Sequence, residues 1–217
     1  RSCSIDWSTN MTLPRTDISE GLVSELTSFE ALLRSLSPTD LDSPSPCDGW
    51  TVGDVARHVV GQMADVMAGR LDGLGSPEVT AREVVERSDR RADQLADECA
   101  EVTKGSAGLL SIFDDAAWNG PAGGGFEGTL GDGVEALWFD AWMHGNDIRS
   151  ALDRPADVGN GMRAALSHVG FELSKRGWTG DVPAPADPGA LPFVLAATGR
   201  GDATTMGAKA PIDIYAA

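Results

Sequence analysis

The stretch that most constrains the fold is residues 136–154, which read ALWFDAWMHGNDIRSALDR. Its apolar residues recur at helical spacing, which predicts one continuous α-helix. Asp140, His144 and Asp147 stand at positions i, i+4 and i+7, so a helix places all three on one face. Apolar residues share that side, so the polar stripe should point into the protein or into a cleft. Ionisable groups there cost free energy unless they are paired, hydrogen-bonded or bound to a metal.

The composition limits the kinds of molecule that the protein is expected to bind. The chain has 217 residues, enough for one substantial core, and its formal net charge is −16. This charge argues against binding to nucleic acid or to an anionic membrane surface, because both require a basic patch. No apolar run approaches the ~20 residues that span a bilayer. The composition therefore predicts a globular protein with small-molecule partners, as a monomer or a homodimer.

Cysteine use and the N-terminal sequence bear on the compartment. The three cysteines, Cys3, Cys47 and Cys99, include no CxxC pair, so they do not form a disulfide framework. This predicts a reducing, cytoplasmic location. The first ten residues lack the long apolar segment of a signal peptide. We interpret residues 1–15 as an N-terminal extension outside the fold.

Helical periodicity recurs along the rest of the chain. The four main predicted helices are one starting at Asp17 or Ser19, one over residues 52–69 with Thr51 as N-cap, one over about 80–103, and one over 136–154. The third is strongly charged, so we interpret it as a solvated outer helix. Residues 104–130 are interpreted as a long crossover. Shorter helices are predicted from residue 160 or 161 and within LPFVLAATGR.

These elements predict the fold class. Strand signals are nearly absent, and four main helices with one long crossover are typical of a four-helix bundle. We therefore predict an all-α bundle over residues 16–202 with short C-terminal helical pieces, followed by a tail over residues 203–217. Metal sites in such bundles are built from inward side chains on facing helices.

The histidines suggest such a site. His58 lies on the second predicted helix, so a bundle could bring it to Asp140 and His144. Two histidines and one carboxylate with open positions are typical of catalytic zinc and of other divalent ions. Asp147, one turn from His144, could orient its ring. The alternative is that both histidines are ordinary core residues with hydrogen bonds.

Two further residues have less specific interpretations. His168, the remaining histidine, is interpreted as a surface or packing residue, with a fourth metal ligand as the alternative. Cys47 precedes a helix N-terminus, where a thiolate would be favoured. Nothing flanking Cys47 in sequence supplies a base, so we interpret it as a packing residue of the loop.

Three motifs carry a family resemblance. PCDGWTVGDVARHVVG resembles the first signature of the mycothiol-dependent maleylpyruvate isomerase N-terminal-domain family, a branch of the DinB-like metalloproteins. WFDAWMHGNDIRSAL resembles the second, with an acidic residue shortly before a histidine. LPFVLAATGRGD resembles the end seen in short members. The resemblance covers about residues 16–202 and identifies the chain as a short form without the isomerase's C-terminal domain, which contributes an active-site arginine.

The resemblance implies a fold, a ligand set and a chemistry. It implies a DinB-like bundle with His58, Asp140 and His144 as ligands of a divalent metal, zinc first, with nickel or iron as alternatives. Family members often have Glu at the position of Asp140, and the shorter side chain implies a looser site or a ligand bound through water. The implied activity is that of a transferase or isomerase, in which a metal-bound thiolate of mycothiol or another small thiol attacks a small electrophilic substrate.

Two matters stay open at this stage. Arg57, Arg149 and Arg200 are the candidate anion-binding residues, and the sequence does not choose among them. The alternatives to the thiol enzyme are a non-catalytic metal-binding or sensing module and a metal-dependent hydrolase or lyase on the same fold. A closed site with a fourth protein ligand would favour the module, whereas an open site in a deep pocket would favour an enzyme.

Overall fold

The computed structural model describes residues 13–207 and 213–215. The helices in these ranges are α1 (Arg15–Arg34), α2 (Pro38–Leu41), α3 (Val52–Met67), α4 (Pro77–Val85), α5 (Ala92–Ile112), α6 (Asp115–Trp118), α7 (Leu130–Ala151), α8 (Gly161–Lys175), α9 (Ala190–Ala197) and a 3-10 helix, Ala203–Met206. The described residues contain isolated bridges but no strand, which confirms the all-α prediction. Most of the predicted N-terminal extension (residues 1–12) and part of the predicted tail (208–212 and 216–217) lie outside the described residues.

Helices α1, α3, α5 and α7 form a four-helix bundle. Helices α1 and α3 each pack against both α5 and α7, while α8 packs on α7 and α9 on α8. The bundle interior holds large, fully buried side chains, among them Phe29, Met63, Leu95, Trp138 and Ile148. This arrangement confirms the predicted bundle, and it makes α3 and α7 neighbours.

Helices α3 and α7, which carry His58 and His144, begin with the same capping motif. At the start of α3 the Asp54 amide donates to the Thr51 hydroxyl, and the Thr51 amide donates to the Asp54 carboxylate. Thr129 and Asp132 form the same reciprocal pair at the start of α7. Each pair satisfies two backbone donors that the first turn leaves free. The predicted N-cap at Thr51 is confirmed, and both helices have defined first residues.

The third predicted helix is wrong in extent and in environment. The chain forms α4 and α5 instead, with a turn over residues 86–91 between them. The turn contains neither Gly nor Pro, and tertiary contacts hold it: the buried Arg87 guanidinium pairs with Glu98 at 2.7 Å, and Arg57 donates to the Arg87 carbonyl at 3.0 Å. Helix α5 reaches Ile112 and belongs to the bundle, so the crossover is shorter than predicted.

Glycine at position 21 allows α1 to approach α7 closely. A Cβ atom on Gly21 would lie 2.3 to 2.5 Å from three ring atoms of Trp138, which is buried. We expect Gly21→Ala to lower the free energy of unfolding by about 2 kcal/mol, because the overpacking outweighs the better helix propensity of Ala. Urea denaturation measures this change. The control is Gly108→Ala on α5, which has open space around it and should be neutral or slightly stabilising. Equal effects at the two positions would contradict the close approach.

None of the helices in the described ranges combines the length and apolar character needed to cross a bilayer.

Candidate metal centre

Three side chains from the two central helices converge. Helix α3 contributes His58, and α7 contributes Asp140 and His144. The two imidazole rings meet edge to face, with centroids 5.2 Å apart and an angle of 89° between their planes. One nitrogen of each ring and one carboxylate oxygen all lie within 4.8 Å of one another. The structure therefore brings together the three residues that the sequence pattern singled out.

The separations between these atoms suit a shared cation. The distance from His58 Nε2 to Asp140 Oδ2 is 3.6 Å, and that from His144 Nε2 to Asp140 Oδ1 is 3.5 Å. Two donors on one tetrahedral zinc, each about 2 Å from it, lie about 3.3 Å apart. Asp140 Oδ2 is buried and has no hydrogen-bond partner. A carboxylate that faces two imidazole nitrogens and has one orphaned oxygen is what a divalent ion would satisfy.

Two outer carboxylates fix the histidine rings. His58 Nδ1 lies 2.8 Å from Glu83 Oε2, and His144 Nδ1 lies 2.9 Å from Asp147 Oδ2. Because carboxylates accept, each Nδ1 carries a hydrogen, and each Nε2 is the nitrogen that faces Asp140 and would ligate a metal once its own proton is lost. Hydrogen bonds of this kind orient metal-ligating histidines and raise their basicity.

A partly buried arginine holds the Asp147 carboxylate. Arg200 Nε and Nη2 donate to the two Asp147 oxygens at 2.8 and 2.9 Å, a bidentate pair. Burial raises the pKa of Asp147, but the hydrogen bonds from His144 and Arg200 outweigh it and hold that pKa well below its usual range. The carboxylate therefore stays ionised, and its position is fixed from both sides.

The charges around His144 favour a cation at this place. Burial lowers the pKa of the His144 imidazole, but the charge of Asp140 and the hydrogen bond to Asp147 outweigh burial and raise the pKa to about 10. A metal that binds through Nε2 must displace the proton held there. Metal affinity should consequently increase as the pH rises towards that value.

Cys47 lies beside this cluster, although the sequence analysis interpreted it as a packing residue of the loop. Its thiol donates to Asp147 Oδ2 at 3.4 Å, and its sulfur lies 3.9 Å from His144 Nδ1 and from Arg200 Nη2. Cys47, His144 and Asp147 also come close enough to share an ion. We prefer His58, Asp140 and His144 as the metal site. In the group that contains Cys47, His144 Nδ1 is already hydrogen-bonded to Asp147, and the nearby Arg200 guanidinium would repel a cation.

Two of the three candidate anion-binding arginines have other partners. Arg57 forms an ion pair with Asp54 at 3.0 Å, and Arg149 lies 3.7 Å from Asp157. Arg200 is the candidate that the structure places at the centre, where Asp147 occupies its donors.

His168 lies beside the centre without joining it. Its ring stacks on Phe139, with centroids 4.5 Å apart, and its Nε2 lies 3.2 Å from the Tyr215 hydroxyl. Burial lowers the pKa of the His168 imidazole to about 4, so the ring is neutral at pH 7. Among the described residues it does not join the converging groups, which fits the packing interpretation.

Sequence reasoning missed Glu83. It lies in a charged segment with several other acids, and the pattern there suggested a solvated helix. In the structure α4 lies against α3, and Glu83 is fully buried beneath His58. One chemical signal was available. A metal-ligating histidine needs an acceptor for its second ring nitrogen, and on α3 no carboxylate accepts a hydrogen bond from His58.

Comparison with known proteins connects the centre to a family. The sequence profile described as Mycothiol maleylpyruvate isomerase N-terminal domain matches residues 22–149. That span contains the three converging residues and both outer carboxylates. No curated protein matches the chain at a significant level.

Two solved structures share the fold. A crystal structure of the mycothiol-dependent maleylpyruvate isomerase has a TM-score of 0.60 and 16% identity, covering 87% of this chain and 90% of that chain. A histidine-to-alanine mutant of the mycothiol-dependent maleylpyruvate isomerase has a TM-score of 0.64 and 16% identity, covering 93% and 97%. The two alignments extend over most of each solved chain.

Proposed function

Because the chain belongs to the mycothiol maleylpyruvate isomerase N-terminal-domain family, we propose that it is a metal-dependent enzyme that joins a small thiol to an electrophilic substrate. His58, Asp140 and His144 would hold one divalent ion, zinc first, with nickel or iron as alternatives. Mycothiol is the first candidate for the thiol. The product would be either a stable conjugate or, if the thiol leaves again, an isomer of the substrate.

One observation carries this proposal. Two imidazole Nε2 atoms face the same Asp140 carboxylate, while each Nδ1 is tied to its own outer carboxylate, Glu83 or Asp147. A pair of ordinary core histidines would not require matched outer acceptors together with a shared carboxylate that has one orphaned oxygen. The donor set, two imidazoles and one carboxylate, suits zinc and other divalent transition metals.

The chemistry follows from the open positions that three protein ligands leave. When bound, the metal would lower the pKa of a thiol and polarise a carbonyl group nearby. In a conjugate addition the sulfur forms a bond to the β-carbon of an unsaturated carbonyl compound. The double-bond electrons move to the α-carbon, which takes up the proton that the thiol lost. Reversal after rotation about the resulting single bond returns the thiol and gives the isomer.

The protein's own residues prepare this site. Glu83 and Asp147 hold the imidazoles in the orientation that directs Nε2 inward, and Arg200 holds Asp147. The rings of Trp50 and His58 make a T-shaped contact, with centroids 5.5 Å apart. A fixed ligand set reduces the reorganisation that the reaction requires.

A non-catalytic metal-binding module and a hydrolase or lyase are the alternatives. A structural metal is expected to have a fourth protein ligand. Among the described residues three groups converge, and His168 stacks on Phe139 instead. A cavity of about 330 Å³ also borders Asp140. Both features support an enzyme over a structural site. Cys47 and Cys99 are free thiols, which is consistent with the cytoplasmic location that we propose.

We expect conjugation to depend on both metal and thiol. Protein purified without a nickel column should contain about one divalent ion per chain by elemental analysis. With methyl vinyl ketone as the small electrophile, mycothiol should be consumed faster than in the uncatalysed reaction. Chelation should return the rate to the uncatalysed value, and added zinc should restore it. Cysteine and glutathione in parallel assays identify the preferred thiol. Equal rates with and without chelator would contradict the proposal.

A further inference from the structure

A cavity of about 330 Å³ lies along α7, whose lining residues run from Leu130 to Asp140. Helices α3, α5 and α7 form its walls with parts of the connecting loops. Its apolar lining includes Met63, Met67, Leu71, Leu110, Phe113 and Leu137. Taking the ~30 Å³ that a water molecule occupies as a guide, the cavity could hold roughly ten non-hydrogen atoms. It is thus a ligand-sized space with a candidate metal ligand in its lining.

The charge of the lining excludes one class of substrate. Of the described residues that line the cavity, Asp140 is the one carboxylic acid, and no Lys or Arg is among them. The neutral polar groups are few, and they include Gln62, Ser106 and Tyr215. A carboxylate on the tail of the substrate, away from the proposed metal, would lose its hydration without gaining a cation, at a large cost in free energy. An uncharged, apolar group would instead gain from burial.

Two lining residues of α7 mark known distances from Asp140 along the cavity. Ala136 and Gly133 both line it, four and seven residues before Asp140. At 1.5 Å per residue they lie about 6 and about 10 Å along the helix from Asp140. A Cβ atom on Gly133 would make ordinary contacts, 3.6 Å from the Ala122 Cβ and 3.9 Å from Phe126. Larger side chains at these two positions should therefore shorten the cavity to two different lengths.

We propose that this cavity binds the apolar tail of the electrophile. The substrate class is an α,β-unsaturated carbonyl compound with an uncharged aliphatic or aromatic tail, whose reactive end lies beside Asp140. The inference rests on the proposed function and specifies its substrate. The step is conjugate addition: the S–H bond breaks, an S–C bond forms at the β-carbon, and the proton passes to the α-carbon. The C=C bond becomes single, and no oxidant is involved.

Chain length provides the first test. The substrates are straight-chain 2-alkenals of four to twelve carbons, with the matching ω-carboxy compounds as the charged control. The catalysed kcat/KM, divided by the uncatalysed rate constant, should rise by up to about fourfold per methylene, from about 0.8 kcal/mol for each one buried. It should level off once the cavity is full. A flat profile, or faster turnover of the carboxylates, would overturn the inference.

The two cavity positions provide the second test. The readout is the ratio of kcat/KM for the longest and the shortest alkenal. Gly133→Leu should lower this ratio by at least tenfold, and Ala136→Leu should place the plateau at a still shorter chain. Gly108→Ala, at an exposed position of α5, should leave it unchanged. Folding of each variant is checked by circular dichroism. A folded Gly133→Leu protein with the wild-type length profile would overturn the inference.

A binding measurement separates this inference from the proposed function. Calorimetric titration with unreactive 2-alkanones requires no turnover, and affinity should rise with chain length in the wild type and be lost for long alkanones in Gly133→Leu. If alkanones bind in this way but no thiol is consumed, the proposed function fails and the cavity assignment stands. If small enones react but 2-alkanones of eight to ten carbons do not bind, the cavity assignment alone fails.

Discussion

Replacing both His58 and His144 with alanine should abolish metal binding and reduce thiol conjugation to the uncatalysed rate. The double variant leaves Asp140 alone where three donors converge, and one carboxylate does not retain a divalent ion at micromolar concentrations. Thermal stability should also become independent of added metal. In the wild type, metal at 1,000 times its dissociation constant should stabilise the fold by about 4 kcal/mol through mass action. Elemental analysis and thermal melts with and without zinc measure both effects.

Loss of metal binding must be distinguished from damage to the fold in these variants. His58→Ala would leave the fully buried Glu83 without its imidazole partner, which is destabilising in itself. Adding Glu83→Gln to the double variant removes that uncompensated charge. His168→Ala is the matched control, because it deletes the remaining histidine, which stacks on Phe139. It should retain about one ion per chain. Stoichiometric metal in the folded double variant would show that the ligand assignment is wrong.

The sequence predicted those parts of the centre that depend on a single helix. Asp140, His144 and Asp147 lie on one face of α7 because helical periodicity requires it, and the structure has the His144–Asp147 hydrogen bond that this spacing suggested. The meeting of α7 with His58 needed only the assumption that the bundle faces these helices towards each other. Periodic patterns determine which face of a helix is buried, so they carry this much information.

The parts that sequence did not predict depend on contacts between distant segments. Glu83 reaches His58 because the chain turns at residues 86–91, and the buried Arg87 and its partner Glu98 hold that turn rather than a local helix breaker. Arg200 reaches Asp147 across 53 positions of the chain. Side-chain pairs between segments far apart in sequence leave no periodic signal. A strongly charged segment therefore suggested a solvated helix where the fold buries one carboxylate.

Replacing one of the outer carboxylates, which hydrogen-bond the two histidines, with an amide should reduce metal affinity without removing a proposed ligand. We expect Glu83→Gln and Asp147→Asn each to raise the dissociation constant of the metal by about 10- to 100-fold, because a neutral acceptor orients the ring less firmly and leaves it less basic. Competition with a chromophoric chelator measures the affinity directly. Asp157→Asn is the control, since this carboxylate lies beside Arg149 rather than the histidines. Its affinity should match that of the wild type.

The two outer variants should differ in their effect on folding, and this difference tests the arrangement around His144. Asp147→Asn also removes the charge that pairs with Arg200, which leaves a largely buried guanidinium facing a neutral amide. It should cost about 1–3 kcal/mol of unfolding free energy in metal-free protein. Arg200→Gln should cost a similar amount, but it removes a positive charge near the centre, so it should not weaken metal binding as Asp147→Asn does. If both variants lowered metal affinity equally, Asp147 would be acting through the stability of the fold and not through the orientation of His144.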